Sequence, residues 1–272
     1  MDCLEARLGD FRLKVDPARG GKVVEIRHDS VSRNLLLDAQ PGAVLSLEHG
    51  DQFDVSGCDE IVPTLEPEAD IPTLGYAWRT GADCTGDGSV LCTRWTIPGW
   101  SVKRESRAAG NTLSSRSLVH NTRETSQPAI WAVHALYPLE GMLQVTLPGG
   151  EPLPGPGCEI VDLKPHLDGK TDEWRILDFA NIGRSWKFFL EADRPVRMEY
   201  ADISLTIETD APWWGIWLNR GGYCGMTCIG VEPTTDPTDY LRESTTIVPA
   251  GEAIEHTWSL TACGGPTTSL PQ

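Results

Sequence analysis

The chain is expected to fold as an all-β protein, a large antiparallel β-sandwich in a single domain. Three observations lead there. Short stretches of alternating apolar and polar residues recur throughout, most cleanly in Leu143-Gln144-Val145-Thr146-Leu147 and Ile203-Ser204-Leu205-Thr206-Ile207-Glu208. Turn residues, 27 Gly and 20 Pro among 272 positions, break the chain between them. No amphipathic helical stretch longer than two turns supplies a crossover, so neighbouring strands must pair antiparallel and pack as a sandwich or barrel.

In chain order, Phe11, Leu13 and Val15 oppose Arg12 and Lys14 in the first expected strand. A turn at Pro17-Ala18-Arg19-Gly20-Gly21 leads to strands at Val23–Ile26 and Asn34–Leu37. Further strands are predicted at 43–47, 90–95, 100–107, 112–119, 142–147, 158–163, 185–190, 196–200, 203–208, 213–218 and 254–261. The Pro/Gly-rich run Pro148–Gly157 lies between strands and reads as a surface loop, so the sandwich domain is taken as 1–263. The polar residues 264–272, with two prolines, read as a loose tail.

Two strands stand apart. In Trp131-Ala132-Val133-His134-Ala135-Leu136-Tyr137-Pro138, alternation puts Trp131, Val133, Ala135 and Tyr137 on one face and His134 on the other. In Met226-Thr227-Cys228-Ile229-Gly230-Val231-Glu232-Pro233, Thr227, Ile229 and Val231 share one face and Glu232 lies opposite. An imidazole and a carboxylate, each set against an apolar face, form a candidate acid–base pair. The other histidines are less informative. His256 shares a face with Ile254, Trp258 and Leu260 and reads as semi-buried, while His28, His49, His120 and His166 sit in polar, turn-like surroundings.

Composition excludes several classes. A net charge of −16 without a basic cluster argues against a nucleic-acid partner. No apolar run approaches the roughly 18 residues of a membrane span. The charged N-terminus is unlike a secretory signal, and the eight cysteines lack a framework spacing, so reduced thiols and a cytoplasmic location are expected. Cys224 and Cys228 lack a second pair to complete a zinc site, and the calcium-like run from Asp83 fails at Arg94, so no metal is expected. The acidic stretch Asp59-Glu60…Glu66…Glu68…Asp70 reads as a solvated loop. No phosphate-binding loop or nucleophile elbow occurs, so no cofactor is expected either. Ten Trp against five Phe and five Tyr leave two readings open, core filling or flat platforms for sugar rings.

Six stretches in order resemble the aldose 1-epimerase (galactose mutarotase) family. They are Pro17…Gly20-Gly21-Lys22-Val23, Gly57-Cys58-Asp59-Glu60-Ile61-Val62-Pro63-Thr64, and Ile71-Pro72-Thr73-Leu74-Gly75-Tyr76-Ala77-Trp78. The His134 strand, Gly230-Val231-Glu232-Pro233-Thr234-Thr235, and Val248-Pro249-Ala250-Gly251-Glu252 complete the set. The resemblance implies a galactose mutarotase-like sandwich, a small-molecule carbohydrate substrate, and an isomerase that interconverts anomers of an aldose or aldose phosphate. By the same resemblance, Glu232 is the general base and an imidazolium at His134 the general acid of ring opening. Trp78, Trp213 and Trp217 are candidate stacking platforms; Arg79 and Arg220 are either substrate contacts or surface arginines at strand ends. One residue departs from the family pattern: Leu74 stands where a second histidine is usual. That departure supports the alternative of a non-catalytic carbohydrate-binding protein on the same fold.

Overall fold

The computed structural model of the protein describes residues 3–40, 44–46, 52–156, 168–170, 173–176, 179 and 185–264. Its strands are β1 (Leu4–Leu8), β2 (Phe11–Asp16), β3 (Lys22–His28), β4 (Val44–Ser46), β5 (Gln52–Asp54) and β6 (Cys58–Ile61). They continue with β7 (Asp83–Gly86), β8 (Leu91–Ile97), β9 (Trp100–Ala109), β10 (Thr112–Asn121), β11 (Gln127–Pro128) and β12 (Ala132–Pro138). Next come β13 (Met142–Pro148), β14 (Leu153–Pro154), β15 (Asp168–Lys170), β16 (Glu173–Ile176), β17 (Ser185–Glu191) and β18 (Val196–Tyr200). The last are β19 (Ile203–Thr209), β20 (Trp213–Arg220), β21 (Thr227–Thr234), β22 (Ile247–Val248) and β23 (Ala253–Gly264).

Two sheets carry most of these strands. The nine-stranded sheet runs β1-β2-β3-β6-β12-β21-β20-β17-β14, and the ten-stranded sheet β15-β16-β13-β18-β19-β23-β10-β9-β8-β7. Their ladders are antiparallel, as the lack of crossover helices demands. Among the described residues no helix is long and apolar enough to cross a membrane.

The pleat sorts side chains cleanly. Val133, Ala135 and Tyr137 of β12, Ile229 and Val231 of β21, and Trp214, Ile216 and Leu218 of β20 enter the main core between the sheets. They meet Trp95, Val102, Leu113, Leu205 and Leu260 from the ten-stranded sheet. The opposite face of the nine-stranded sheet carries a smaller apolar cluster that includes Leu74, Trp78, Ile61, Ala132, Leu136 and Cys228. That outer face holds the site.

One polar network crosses the core. Glu60 of β6, 1% exposed, accepts a hydrogen bond from the Trp131 indole and pairs with Arg104 of β9 at 3.4 Å. Arg104 also donates to the Gly21 carbonyl at 2.6 Å. The two sheets are therefore joined by a buried ion pair, braced by further hydrogen bonds to the Gly21 carbonyl and from the Trp131 indole.

Several expectations change. Asn34–Leu37 is not a strand; the Asn34 side chain takes over the ladder, accepting from Ile26 N at 3.0 Å and Leu36 N at 3.1 Å. Asp59 and Glu60 are buried in a central strand rather than solvated, because each carboxylate faces a buried cation. His28 is 7% exposed, packed edge-on against Phe11 at 4.9 Å, so it too is buried where a surface residue was expected. The expected strand 158–163, His49, His166 and the tail beyond Gly264 lie outside the described residues.

Replacing Arg104 by Leu leaves Glu60 buried and uncompensated. Chemical denaturation should show a loss of about 3 kcal/mol, and the Glu60→Gln/Arg104→Leu double variant should lose less than the sum of the singles. Additive losses would remove the network as a joint between the sheets.

Candidate functional site

The outer face of the nine-stranded sheet carries a row of charged groups that runs across the strands. The row begins with Lys22 of β3, which ion-pairs with Asp59 of β6; both are buried. Asp59 lies opposite His134 of β12 in the ladder. The β12–β21 register, Ala132 against Thr234 and Leu136 against Gly230, brackets His134 and Glu232 as direct cross-strand neighbours. His134 Nε2 is 4.0 Å from Glu232 Oε1. The other carboxylate oxygen, Oε2, is ion-paired with Lys187 of β17, and Lys187 Nζ lies 3.7 Å from Asp239 Oδ1 in the segment after β21.

Space for these groups comes from two glycines. A Cβ at Gly230 would sit 2.7 Å from Glu232 Oε1, and one at Gly215 would sit 3.4 Å from both Glu232 Oε2 and Lys187 Nζ. The sheet is bare on either side of the carboxylate, so the lysine and a ligand can both reach it.

His134, Lys187, Glu232 and Asp239 line a cleft of about 440 Å³, together with Leu65, Glu66, Thr73, Leu74, Ser185, Trp217 and Tyr223. This volume suits a small ligand. Trp217 forms an aromatic wall: its ring lies 5.9 Å from the His134 ring, its indole donates to Ser185 Oγ at 2.9 Å, and Tyr223 packs edge-on at 5.7 Å. Leu74, with φ of 62°, belongs to the outer apolar cluster and makes the wall non-polar at the position where the sequence departs from the resembled pattern.

The electrostatics follow from burial. Loss of water pushes the His134 imidazole down from its ordinary 6.5 to about 3, against the pull of Asp59, so the ring is neutral at pH 7. Burial also opposes the Lys187 ammonium, but Asp239 and Glu232 together hold its pKa above the ordinary lysine value. Burial raises the Asp239 carboxyl, with Lys187 pulling the other way. Two buried oxygens of cleft-lining residues have no hydrogen-bond partner among the described residues: Glu232 Oε1 and Asp239 Oδ1. Buried acceptors of this kind are costly unless a ligand or water completes them.

The structure brings His134, Glu232 and Trp217 together in the cleft and keeps the other named residues out of it. Trp78 is 8% exposed and donates its indole to the Thr73 carbonyl; with Arg79 it lines a separate pocket of about 200 Å³ beside Lys22 and Asp59. Neither Trp78 nor Arg79, both on the 3-10 turn Ala77–Arg79, lines the cleft that holds Glu232. Trp213 shares the face of Trp217 but sits four residues along β20, where it lines a larger groove of about 590 Å³. That groove is bordered by the exposed charges Glu151, Glu191, Asp193 and Arg194 and holds none of the buried groups. Arg220 is exposed at the end of β20 and lines neither space. Cys228 is buried below the cleft, its thiol pushed up to about 12 by burial, so it is an inert packing residue.

Lys187, Asp239 and Asp59 were not found from the sequence. A signal existed for the first. In Trp186-Lys187-Phe188-Phe189-Leu190 a lysine interrupts an apolar strand on the same alternation as His134, and a buried lysine requires a partner. Asp239 sits in the polar run Asp236-Pro237-Thr238-Asp239, which reads as an ordinary loop.

Among the described residues no group of three or more His, Cys, Asp or Glu is arranged to hold a metal ion. No family model and no curated protein matches the sequence. Solved structures do match. A galactose mutarotase-like protein from Lactobacillus casei ATCC 334 aligns with TM-score 0.71 at 14% identity, over 96% of this chain and 100% of that one. The galactose mutarotase related enzyme from Lactobacillus acidophilus aligns with TM-score 0.68 at 12% identity, over 98% and 99%. The GalM/aldose epimerase homologue from C. elegans aligns with TM-score 0.63 at 11% identity, over 97% and 99%. The chain has the galactose mutarotase-like fold. On that fold the charged row and the Trp217 wall occupy the outer face of one sheet of the sandwich.

The His134 shift has a measurable consequence. The unfolded chain binds a proton at this histidine below about pH 6.5, whereas the folded one does so only near 3. Stability therefore falls as pH drops through that window, with a slope of about 1.4 kcal/mol per pH unit from this group. In His134→Gln the loss between pH 7 and pH 4.5, read by urea denaturation, should be smaller by that share. An unchanged loss would mean that His134 is not buried in its neutral form.

Proposed function

We propose that the protein is an aldose 1-epimerase-type isomerase that interconverts the anomers of an aldose at the His134/Glu232 cleft. The observation that supports this most is the free edge of the Glu232 carboxylate. Oε1 is buried, accepts no hydrogen bond among the described residues, lines the cleft, and lies 4.0 Å from His134 Nε2. The fold shared with galactose mutarotase-like proteins agrees with this reading.

Anomer exchange needs a proton removed from the C1 hydroxyl while the negative charge that develops on the ring oxygen is stabilised. Both oxygens are bonded to the same carbon, so a base and a hydrogen-bond donor that are near neighbours can serve them together. Glu232 Oε1 takes the C1 hydroxyl proton as the bond from C1 to the ring oxygen breaks, and C1 becomes a carbonyl. His134 faces the ring oxygen. Because its imidazole is neutral at pH 7, it donates an N–H hydrogen bond to the alkoxide that the ring oxygen becomes, in place of the imidazolium implied by resemblance, and the proton stays on Glu232 until the ring closes. Rotation about C1–C2 presents the other carbonyl face, and the transfers reverse. Trp217 offers its indole face to the apolar side of the sugar ring.

Leu74 favours the second reading, a sugar-binding protein without catalysis, because an apolar side chain at that wall supplies neither a proton nor a hydrogen bond to the sugar. One experiment separates the two. Anomeric exchange is measured by NMR across a panel of aldoses and aldose phosphates, with Glu232→Gln alongside. The epimerase reading expects exchange well above buffer that falls by about 10²–10⁴-fold in the variant. Binding of a sugar with no exchange above buffer would establish the second reading instead.

A further inference from the structure

Lys187 takes no part in the proton transfers, yet the fold is shaped around it. It stands on β17 and Glu232 on β21, with β20 between them. The lysine reaches the carboxylate across the bare Gly215, which lies opposite Glu232 in the β20–β21 ladder. Gly155, just after β14, closes on its stem from the other side. That N–H donates to the Lys187 carbonyl at 2.8 Å, and a Cβ at Gly155 would meet Lys187 Cγ at 2.4 Å. The ammonium also lies 5.5 Å from the centre of the Phe189 ring. Two missing side chains and an aromatic neighbour thus set a lysine, 9% exposed, against Oε2 of a carboxylate that is 1% exposed. A surface ion pair needs no such construction.

The charge balance of the cleft gives the reason. Three carboxylates line it, those of Glu66, Glu232 and Asp239, and among the described lining residues Lys187 is the one ammonium or guanidinium. The other groups around Glu232 supply no positive charge at neutral pH. His134 of β12 is a neutral imidazole, and Cys228 of β21 is a neutral thiol. Glu66 and Asp239 are acids, Tyr223 adds a phenol, and Asp59, beyond His134, is already paired with Lys22. A buried carboxylate beside other carboxylates takes up a proton unless a cation opposes it. Once protonated, Glu232 could not accept the C1 proton. Lys187 also occupies Oε2, which leaves Oε1 on the His134 side. We propose that Lys187 is a positioning residue for the base: its ammonium keeps Glu232 a carboxylate, aims Oε1 at the substrate, and so sets the lower pH limit of exchange. The pH limit rests on the epimerase reading. The Lys187–Glu232 couple itself is independent of it.

The test reads the couple first without substrate. In protein labelled with carbon-13 at the glutamate side-chain carboxyl, the Glu232 signal is assigned by Glu232→Gln and followed by NMR across the acid range. Its midpoint should lie about 1–3 pH units higher in Lys187→Met than in the unaltered protein, the shift expected when an adjacent opposite charge is lost. Asp239→Asn, which removes the other acid beside Lys187, should not raise it. Exchange of D-galactose and D-glucose is then measured against pH. The acid limb of kcat/KM should rise in Lys187→Met by the same interval, whereas damage to the fold lowers the rate at every pH alike. If Lys187→Met does not fold, the Lys187→Met/Asp239→Asn double variant, which buries one charge fewer, is compared with Asp239→Asn instead. A midpoint unmoved by loss of the lysine, or raised equally by Asp239→Asn, overturns the inference and leaves the epimerase reading standing. A midpoint that moves while the acid limb does not overturns the pH limit. A raised midpoint with no exchange by the unaltered protein at any pH supports the hold of Lys187 on Glu232 and overturns catalysis.

Discussion

The antiparallel pairing of β12 with β21 is the constraint on which the rest of the site depends. With Ala132 opposite Thr234, His134 and Glu232 become cross-strand neighbours on the outer face, while Val133, Ala135, Ile229 and Val231 enter the core. A slip of one residue would reverse every one of these assignments, driving the imidazole and the carboxylate between the sheets. The apolar residues of the two strands thus fix the register, and the register fixes the distance between base and hydrogen-bond donor. Function is carried by the pattern that folds the sheet.

Burying so many charges is costly, and the arrangement offsets that cost by alternation. Lys22 answers Asp59, Arg104 answers Glu60, and Lys187 answers both Glu232 and Asp239. Adjacent acids on β6 point to opposite faces, so one pair braces the sandwich and the other begins the site. Two carboxylate oxygens left open among the described residues, Glu232 Oε1 and Asp239 Oδ1, belong to residues that border the cleft.

Much of this was legible in the sequence because strand alternation is a local property. The faces of β12 and β21 follow from a period of two, and so do the central strands of both sheets. β1 escaped notice because Glu5 and Arg7 make an edge strand look like surface chain. Asp59 and Glu60 were hidden for a different reason: their solvation depends on Lys22 and Arg104, which are distant in sequence. Direction outside the ladders was not legible at all. Trp78 and Arg79 ride on a 3-10 turn, so their sequence position beside Leu74 did not bring them to the cleft that Leu74 lines. Trp213 and Trp217 share one face of one strand, yet four residues of strand separate them and set them in different depressions.

The central claim is that the sugar binds in the cleft walled by Trp217. Its most direct test is a titration of the protein, labelled with nitrogen-15 at tryptophan, with the aldoses named above, following the ten indole signals. The account predicts that the Trp217 indole, assigned by Trp217→Phe, shifts on binding while those of Trp78 and Trp213 stay in place. Saturable shifts confined to Trp213, in the larger groove, would contradict it.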